Sequence, residues 1–365
     1  MNTEKIRVGI TMGDPSGIGP AVIAKALPKL AGIADFVVIG DKWVFDKIKI
    51  PKLKIETVAK PQRCHCEEDE GRRSNLKTGL LRPFGARNDA LRGLFQRSQI
   101  QKFEFIDLNN VKHKNFSFGK IRAEYGKASI EYLDKAIRLL KKGALDCLVT
   151  CPISKEAINL AGFHYSGHTE YLAKNTHTEE PVMLLLNKDL KISLVTRHLP
   201  LHKVAAQINK ERICRVVNLT HNSLKVFFGI QNPGIVVCAL NPHASDNGTI
   251  GDEENRVIRP AIEKLKKDFN ISAAGPYPAD TAIYLAGKKK YDCVIAMYHD
   301  QALIPLKISG NNTGVNMTLG LPFVRTSPLH GTAFDIAGNP ALADADSLIA
   351  ASRLAVKCAQ KRKNP

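Results

Sequence analysis

Several short, almost unbroken apolar runs set the strongest limit on the fold. Ile6 to Thr11, Leu145 to Thr150, Ile235 to Leu240 and Cys293 to Met297 are too short for core helices and too apolar for half-exposed strands. Such runs suit strands covered on both faces, as in sheets layered by helices. Val182 to Leu186 and Ile192 to Thr196 read as two further strands around Lys188-Asp189, and Phe36 to Ile39 as another. Between them lie helical periods. Ile18 to Leu30 is one; Ala128 to Leu140 is a second, stopped by Lys141-Lys142-Gly143, a basic last turn and a glycine. The expected fold class is therefore α/β.

One stretch breaks the alternation. Residues 61–100 hold an acidic run, many arginines and no sustained period, and read as an insertion in a surface loop. Cys64-His65-Cys66 within it is spaced too tightly for a zinc pattern. The chain has 365 residues, enough for one large domain or two smaller ones. No apolar stretch is long enough to span a membrane, and the first residues have no long apolar core of a secretory signal. The eight cysteines form no C-x-x-C pair, and three of them, Cys147, Cys238 and Cys293, fall inside the apolar runs. These read as reduced thiols of a cytoplasmic protein. The net charge of +18 favours anionic partners. Without a basic stripe interleaved with aromatics, which are 6% of the chain, it suits phosphorylated small molecules better than nucleic acid.

The chemistry-bearing residues gather at strand ends. Gly13-Asp14-Pro15-Ser16-Gly17-Ile18-Gly19-Pro20 joins a strand to a helix, where glycines permit close backbone approach and a helix N-terminus favours an anion. It is neither the dinucleotide fingerprint, since Val22 stands where the third glycine would, nor a P-loop. As a turn it is equally well explained by structure alone. His198, His243 and His299 each follow a predicted strand, where open α/β sheets place their ligands. Three imidazoles so placed suit a shared site for Zn2+, Co2+ or a similar divalent ion, with Asp280 and Asp300 nearby. His168 stands in Gly167-His168-Thr169-Glu170. From Lys307 to Gly338 the chain is polar and punctuated by glycine. It carries Lys307, Asn316, Thr318, Arg325, Thr326, Ser327 and His330-Gly331-Thr332-Ala333, whose cations suit a phosphate or carboxylate. A long surface loop is the alternative explanation of that block, and the density of donors speaks against it.

With these residues in view, the chain resembles the 4-hydroxythreonine-4-phosphate dehydrogenase family outside residues 61–100. The resemblance rests on GDPSGIGP at 13–20, GHTEYLA at 167–173, TRHLPL at 196–201, NPHA at 241–244, GPYPADT at 275–281, MYHDQAL at 297–303 and NMTLGLPFVRTSPLHGTA at 316–333. Ser245-Asp246 stands where the family usually has Gly-Glu, Ala302 replaces a glycine and Met317 a valine. The resemblance implies a fold like isopropylmalate and isocitrate dehydrogenases: residues 1–152 with 303–365 in one α/β domain, 153–302 in another, and a cleft between. It implies His198, His243 and His299 as ligands of Zn2+, Mg2+ or Co2+, and His168, Thr169, Lys307, Asn316 and Arg325 as substrate contacts. NAD or NADP would lie against Gly13, Asp14 and His330, Gly331, Thr332 and Ala333. Lys307, Asp280 and Asp300 are the candidate proton acceptors. A homodimer with a shared active site is implied as well, with His198 and His243 from one chain and His299 from the other. The implied reaction oxidises and decarboxylates 4-phosphooxy-L-threonine; a threonate or erythronate 4-phosphate is the alternative substrate.

Overall fold

The computed structural model describes residues 5–48, 55–57, 103–310 and 312–363. The expected insertion at 61–100, with Cys64-His65-Cys66, lies outside the described residues.

The first part runs β1 (Arg7–Thr11), α1 (Gly19–Leu30), β2 (Asp35–Gly40), α2 (Lys42–Asp46), β3 (Ile55–Thr57), β4 (Phe103–Asp107), α3 (Ala123–Lys141) and β5 (Cys147–Thr150). Then come α4 (Lys155–Leu160), α5 (His168–Asn175), β6 (Val182–Leu186), β7 (Lys191–Leu194), α6 (Val204–Gln207), α7 (Lys210–Phe228) and β8 (Ile235–Cys238). The chain continues through α8 (Arg259–Phe269), β9 (Ala273–Tyr277), α9 (Ala279–Gly287), β10 (Cys293–Ala296) and α10 (His299–Ser309), and closes with β11 (Val315–Leu319), β12 (Val324–Pro328) and α11 (Asp346–Lys363).

The strands form one sheet in the order β3-β4-β2-β1-β5-β12-β11-β6-β7-β10-β8-β9. The α/β class read from the apolar runs is what the chain adopts. Alternation along each strand feeds two cores. In β6, Leu184 and Leu186 enter the larger core shared with α1, α3 and α11, while Met183 and Leu185 enter a smaller one under α9 and α10. Each fully buried side chain of this size contributes about 1.5–3 kcal/mol. Helix ends follow local chemistry. Asn209 caps α7 by accepting from Arg212 N at 2.8 Å, and Gly229 ends it at φ 73°.

Strand directions place the site. β1, β2, β5 and β12 run parallel; β11 opposes both β12 and β6; β6 opposes β7, whose direction β10 and β8 share. The C-terminal ends of β7, β10 and β8 therefore lie on the sheet edge opposite those of β1, β5 and β12. The two expected segments meet at β11 and β6, where the sheet passes between them without a break.

The structure departs from the loop explanation of residues 307–338, which contain the end of α10 and two central strands. Their buried positions include Thr318, Arg325, Thr326 and Ser327, so polar side chains hid the strand pattern. The six described cysteines are free and buried. Among the described residues no helix is long and apolar enough to cross a membrane.

Candidate active site

Arg325 is the anchor of the site. It is 2% exposed on the central strand β12 and has no ion-pair partner among the described residues. Register puts it opposite Thr318 of β11 and Leu148 of β5. Its guanidinium donates to Thr318 Oγ1 at 2.9 Å and to Thr150 Oγ1 at 2.6 Å, while Nε has no partner. Burial lowers its pKa to about 10, against the pull of the Glu170 charge, so it remains a cation. Asn316, two residues before Thr318 on the same face, has a buried Oδ1 without a partner.

His168 opens α5 and Thr169 beside it is buried. Desolvation, and then the Arg325 charge, hold the His168 pKa well below the usual histidine value. His168 is therefore a neutral donor or acceptor, not a cation, and its Nε2 is buried without a partner. Buried polar atoms left unmet cost about 1–3 kcal/mol each. Two of them, His168 Nε2 and Asn316 Oδ1, beside a buried cation whose own Nε is unmet make a receptor for an anionic group bearing hydroxyls or an amine.

The candidate metal ligands follow strands whose C-terminal ends lie level with Arg325, through the register Arg325–Thr318–Met183 and the neighbouring β7. β7, β10 and β8 are neighbours, so His198, His299 and His243 follow adjacent strand ends. The rings of His198 and His299 are 5.4 Å apart within one chain. Desolvation, then Lys155 and His299, lower the His198 pKa, which favours the neutral imidazole a metal requires. His299 Nδ1 lies 2.7 Å from Asp300 Oδ1. With Nδ1 donating there, Nε2 keeps its lone pair, as in metal-bound histidines whose other ring nitrogen is held by a carboxylate. This donor pair fits a divalent ion. His243 does not join it: among the described residues no three His, Cys, Asp or Glu side chains lie close enough to hold a metal. His243 is exposed on a turn whose residues 243–247 all have φ between 45° and 65°. Such conformations cost about 1–2 kcal/mol per non-glycine residue.

Glu170, Arg197 and Lys155 were not singled out from the sequence. Arg197 Nη2 lies 3.4 Å from Glu170 Oε1, and both line a cavity of ≈ 320 Å³ that also includes Thr196 and His198. Glu170 and Arg197 had adjacency to His168 and His198 as their signal; Lys155 had none in the sequence. Of the candidate proton acceptors, Asp300 is occupied by His299, and Asp280 is exposed in the first turn of α9. Lys307 is exposed near the end of α10, eight residues and about 12 Å of helix beyond His299.

The two loops assigned to a dinucleotide meet each other. Ile18 N donates to Thr332 O at 2.8 Å. Gly13 must be glycine: its φ is +75° and a Cβ would lie 2.3 Å from Pro152 O. The amides of Asp14, Ser16, Gly17 and Ile18 all donate within the protein, so those four are not free for a phosphate. His330 and Gly331 are exposed, and a side chain at Gly331 would meet nothing within 4 Å. Of the two loops, His330 and Gly331 are therefore the accessible part and Gly13 and Asp14 the buried part.

Asp14 has a measurable consequence. Burial pushes its carboxyl up to about 6 from 3.8, only partly offset by the hydrogen bonds from Ser16. The folded state then binds a proton that the unfolded chain has released. Stability falls as pH rises from about 4 through 6, by about 3 kcal/mol. Asp14→Asn keeps the Oδ1 acceptor, so its Tm advantage over wild type is expected to grow across that window and level off above it. Parallel Tm curves from pH 4 to 8 would show instead that Asp14 ionises freely.

Fold and site together define a large α/β enzyme with its polar centre built into the sheet. A family model described as pyridoxal phosphate biosynthetic protein PdxA matches residues 33–355. A 4-hydroxythreonine-4-phosphate dehydrogenase of Sulfurihydrogenibium is 40% identical, over 98% of this chain and 100% of its own. A putative D-threonate 4-phosphate dehydrogenase of Oceanobacillus iheyensis is 37% identical, over 98% of this chain and 99% of its own. The crystal structure of 4-hydroxythreonine-4-phosphate dehydrogenase from Klebsiella pneumoniae is similar at a TM-score of 0.79 and 33% identity, covering 99% of this chain and 100% of that one. The chain belongs to the PdxA family, and it is a dehydrogenase.

Proposed function

We propose that the enzyme oxidises 4-phosphooxy-L-threonine to 2-amino-3-oxo-4-(phosphooxy)butanoate with NAD or NADP and a divalent cation, and that this product decarboxylates to 3-amino-2-oxopropyl phosphate. The observation that carries this reading is the buried Arg325 guanidinium with its unmet neighbours, in a chain of this family. Arg325 holds an anionic group of the substrate, and Thr150 and Thr318 fix the guanidinium plane. Neutral His168 donates or accepts one hydrogen bond beside it. The Asn316 amide oxygen accepts from the substrate amine. Lys307, Asp280 or Asp300 takes the hydroxyl proton. A divalent ion supplies a Lewis acid for that hydroxyl, and a nicotinamide supplies the hydride acceptor. The reaction proceeds in the cytoplasm, in two α/β domains with the substrate in their cleft.

We assign the site to a homodimer. Each chain contributes His198 and His299, and the exposed turn of the second chain contributes His243. Support comes from the 5.4 Å pair and from His243 standing apart from it. A second reading follows from the Oceanobacillus relative, whose name gives D-threonate 4-phosphate as substrate. That compound presents a hydroxyl where 4-phosphooxy-L-threonine presents an amine.

The test is reduced-nicotinamide formation from each compound, with and without chelator. A higher kcat/KM for 4-phosphooxy-L-threonine, abolished by chelation and restored by Zn2+, Co2+ or Mg2+, is expected. A preference for the threonate would select the second reading. Full turnover in metal-free buffer would remove the metal from the scheme.

A further inference from the structure

The turn that carries His243 has five consecutive non-glycine residues in the left-handed region. Such a run persists only where its surroundings over-determine it. On its exit side, Thr249 N donates to Asp246 O and Ile250 N to Ser245 O. On its entry side stands Glu254, a carboxylate with no exposed surface. Its Oε1 accepts from Leu240 N and Asn241 N, at 2.8 Å each. Its Oε2 accepts from Asn241 Nδ2 at 2.9 Å. Asn241 Nδ2 also donates to Glu253 Oε2 at 2.7 Å. Gly251, at φ +80°, leaves the room this needs, since a Cβ there would lie 2.6 Å from Asn241 Nδ2.

We propose that Glu254 is the positioning residue for His243: it clamps the end of the strand before the turn, so that the strained backbone presents the imidazole in one orientation. The proposal rests on the reading of His243 as a metal ligand. It accounts for a buried carboxylate at this place. A glutamine could still receive the two backbone amides on its oxygen. Its amide group would then face Asn241 Nδ2, donor against donor. The clamp would open on the side nearest the turn. Glu254 touches no substrate or metal, and its effect reaches the site only through His243.

The test uses the full chain stripped of metal. Zn2+ affinity is measured by competition with a chromophoric chelator, and folding by circular dichroism and Tm of the apo form. Glu254→Gln is expected to bind Zn2+ about 10–100-fold more weakly, the usual cost of losing a group that orients a metal ligand. Its kcat should climb towards wild type as Zn2+ is raised, a rescue that a general loss of packing would not allow. His243→Ala should bind weakly and not be rescued. Should Glu254→Gln fail to fold, Asn241→Ala removes the same strut without burying a new donor, and a smaller loss of affinity in the same direction is expected. Wild-type Zn2+ affinity in a folded Glu254→Gln or Asn241→Ala chain, beside a weakened His243→Ala, overturns the positioning role alone. Wild-type affinity in His243→Ala overturns the ligand reading and this proposal with it.

Discussion

Equal amounts of His243→Ala and His299→Ala chains, refolded together, are expected to recover about a quarter of wild-type activity, although each variant alone is inactive. The expectation rests on the proposed division of ligands. His198 and His299 lie within one chain, their rings 5.4 Å apart, and His243 stands on an exposed turn outside that pair. In a mixed dimer, one site takes His299 from the first variant and His243 from the second, and is whole. The other site carries both lesions. Random pairing makes about half the dimers mixed, each with one working site of two. Differentially tagged chains report how many mixed dimers formed. If they form and remain inactive, all three histidines serve a site within one chain. The metal assignment would survive that outcome, but the shared site would not.

Replacing Arg325 by methionine should separate function from stability. The guanidinium is buried on a central strand, with two threonine hydroxyls as its hydrogen-bond partners and no carboxylate paired to it among the described residues. A buried cation in that state is a burden on folding. Exchange for an apolar side chain of similar length is neutral or stabilising in such cases. The Tm of Arg325→Met should match or exceed that of wild type. The same change removes the charge that meets the substrate anion in a dry site. Losing a buried charge-assisted contact costs about 4 kcal/mol, so kcat/KM should fall by about 10³-fold. Arg325→Lys should rescue little, since an ammonium cannot reach Thr150, Thr318 and the substrate in one plane. Activity within tenfold of wild type in the methionine variant would remove Arg325 from the site.

The fold was legible where both sheet faces are apolar. Cys147 to Thr150, Ile235 to Cys238 and Cys293 to Ala296 are wholly buried, and their composition alone announces them. It was illegible at β11 and β12. There Asn316, Thr318 and Arg325 occupy positions that ordinary strands fill with aliphatic groups, so periodicity disappears where the chemistry begins. The histidines were legible as a set because each follows a strand; which of them meet depends on loop conformation, and a run of left-handed residues such as 243–247 has no pattern in composition. Glu254 was hidden for another reason. A carboxylate beside Glu253 and Asp252 reads as solvated surface, and only the backbone amides it accepts disclose its burial.

The position of β11 and β12 has a consequence for how the molecule is made. These strands come from residues 315–328, yet they sit between β5 and β6 at the middle of the sheet. During synthesis every earlier strand leaves the ribosome before the two that join them. β5 and β6 must wait with unpaired edges facing one another, templates for pairing with other chains. A chain halted anywhere before residue 315 would lack its centre, not its margin. Quality control by proteases and chaperones would meet such a fragment as two open sheets, whereas a full-length chain presents none of those edges.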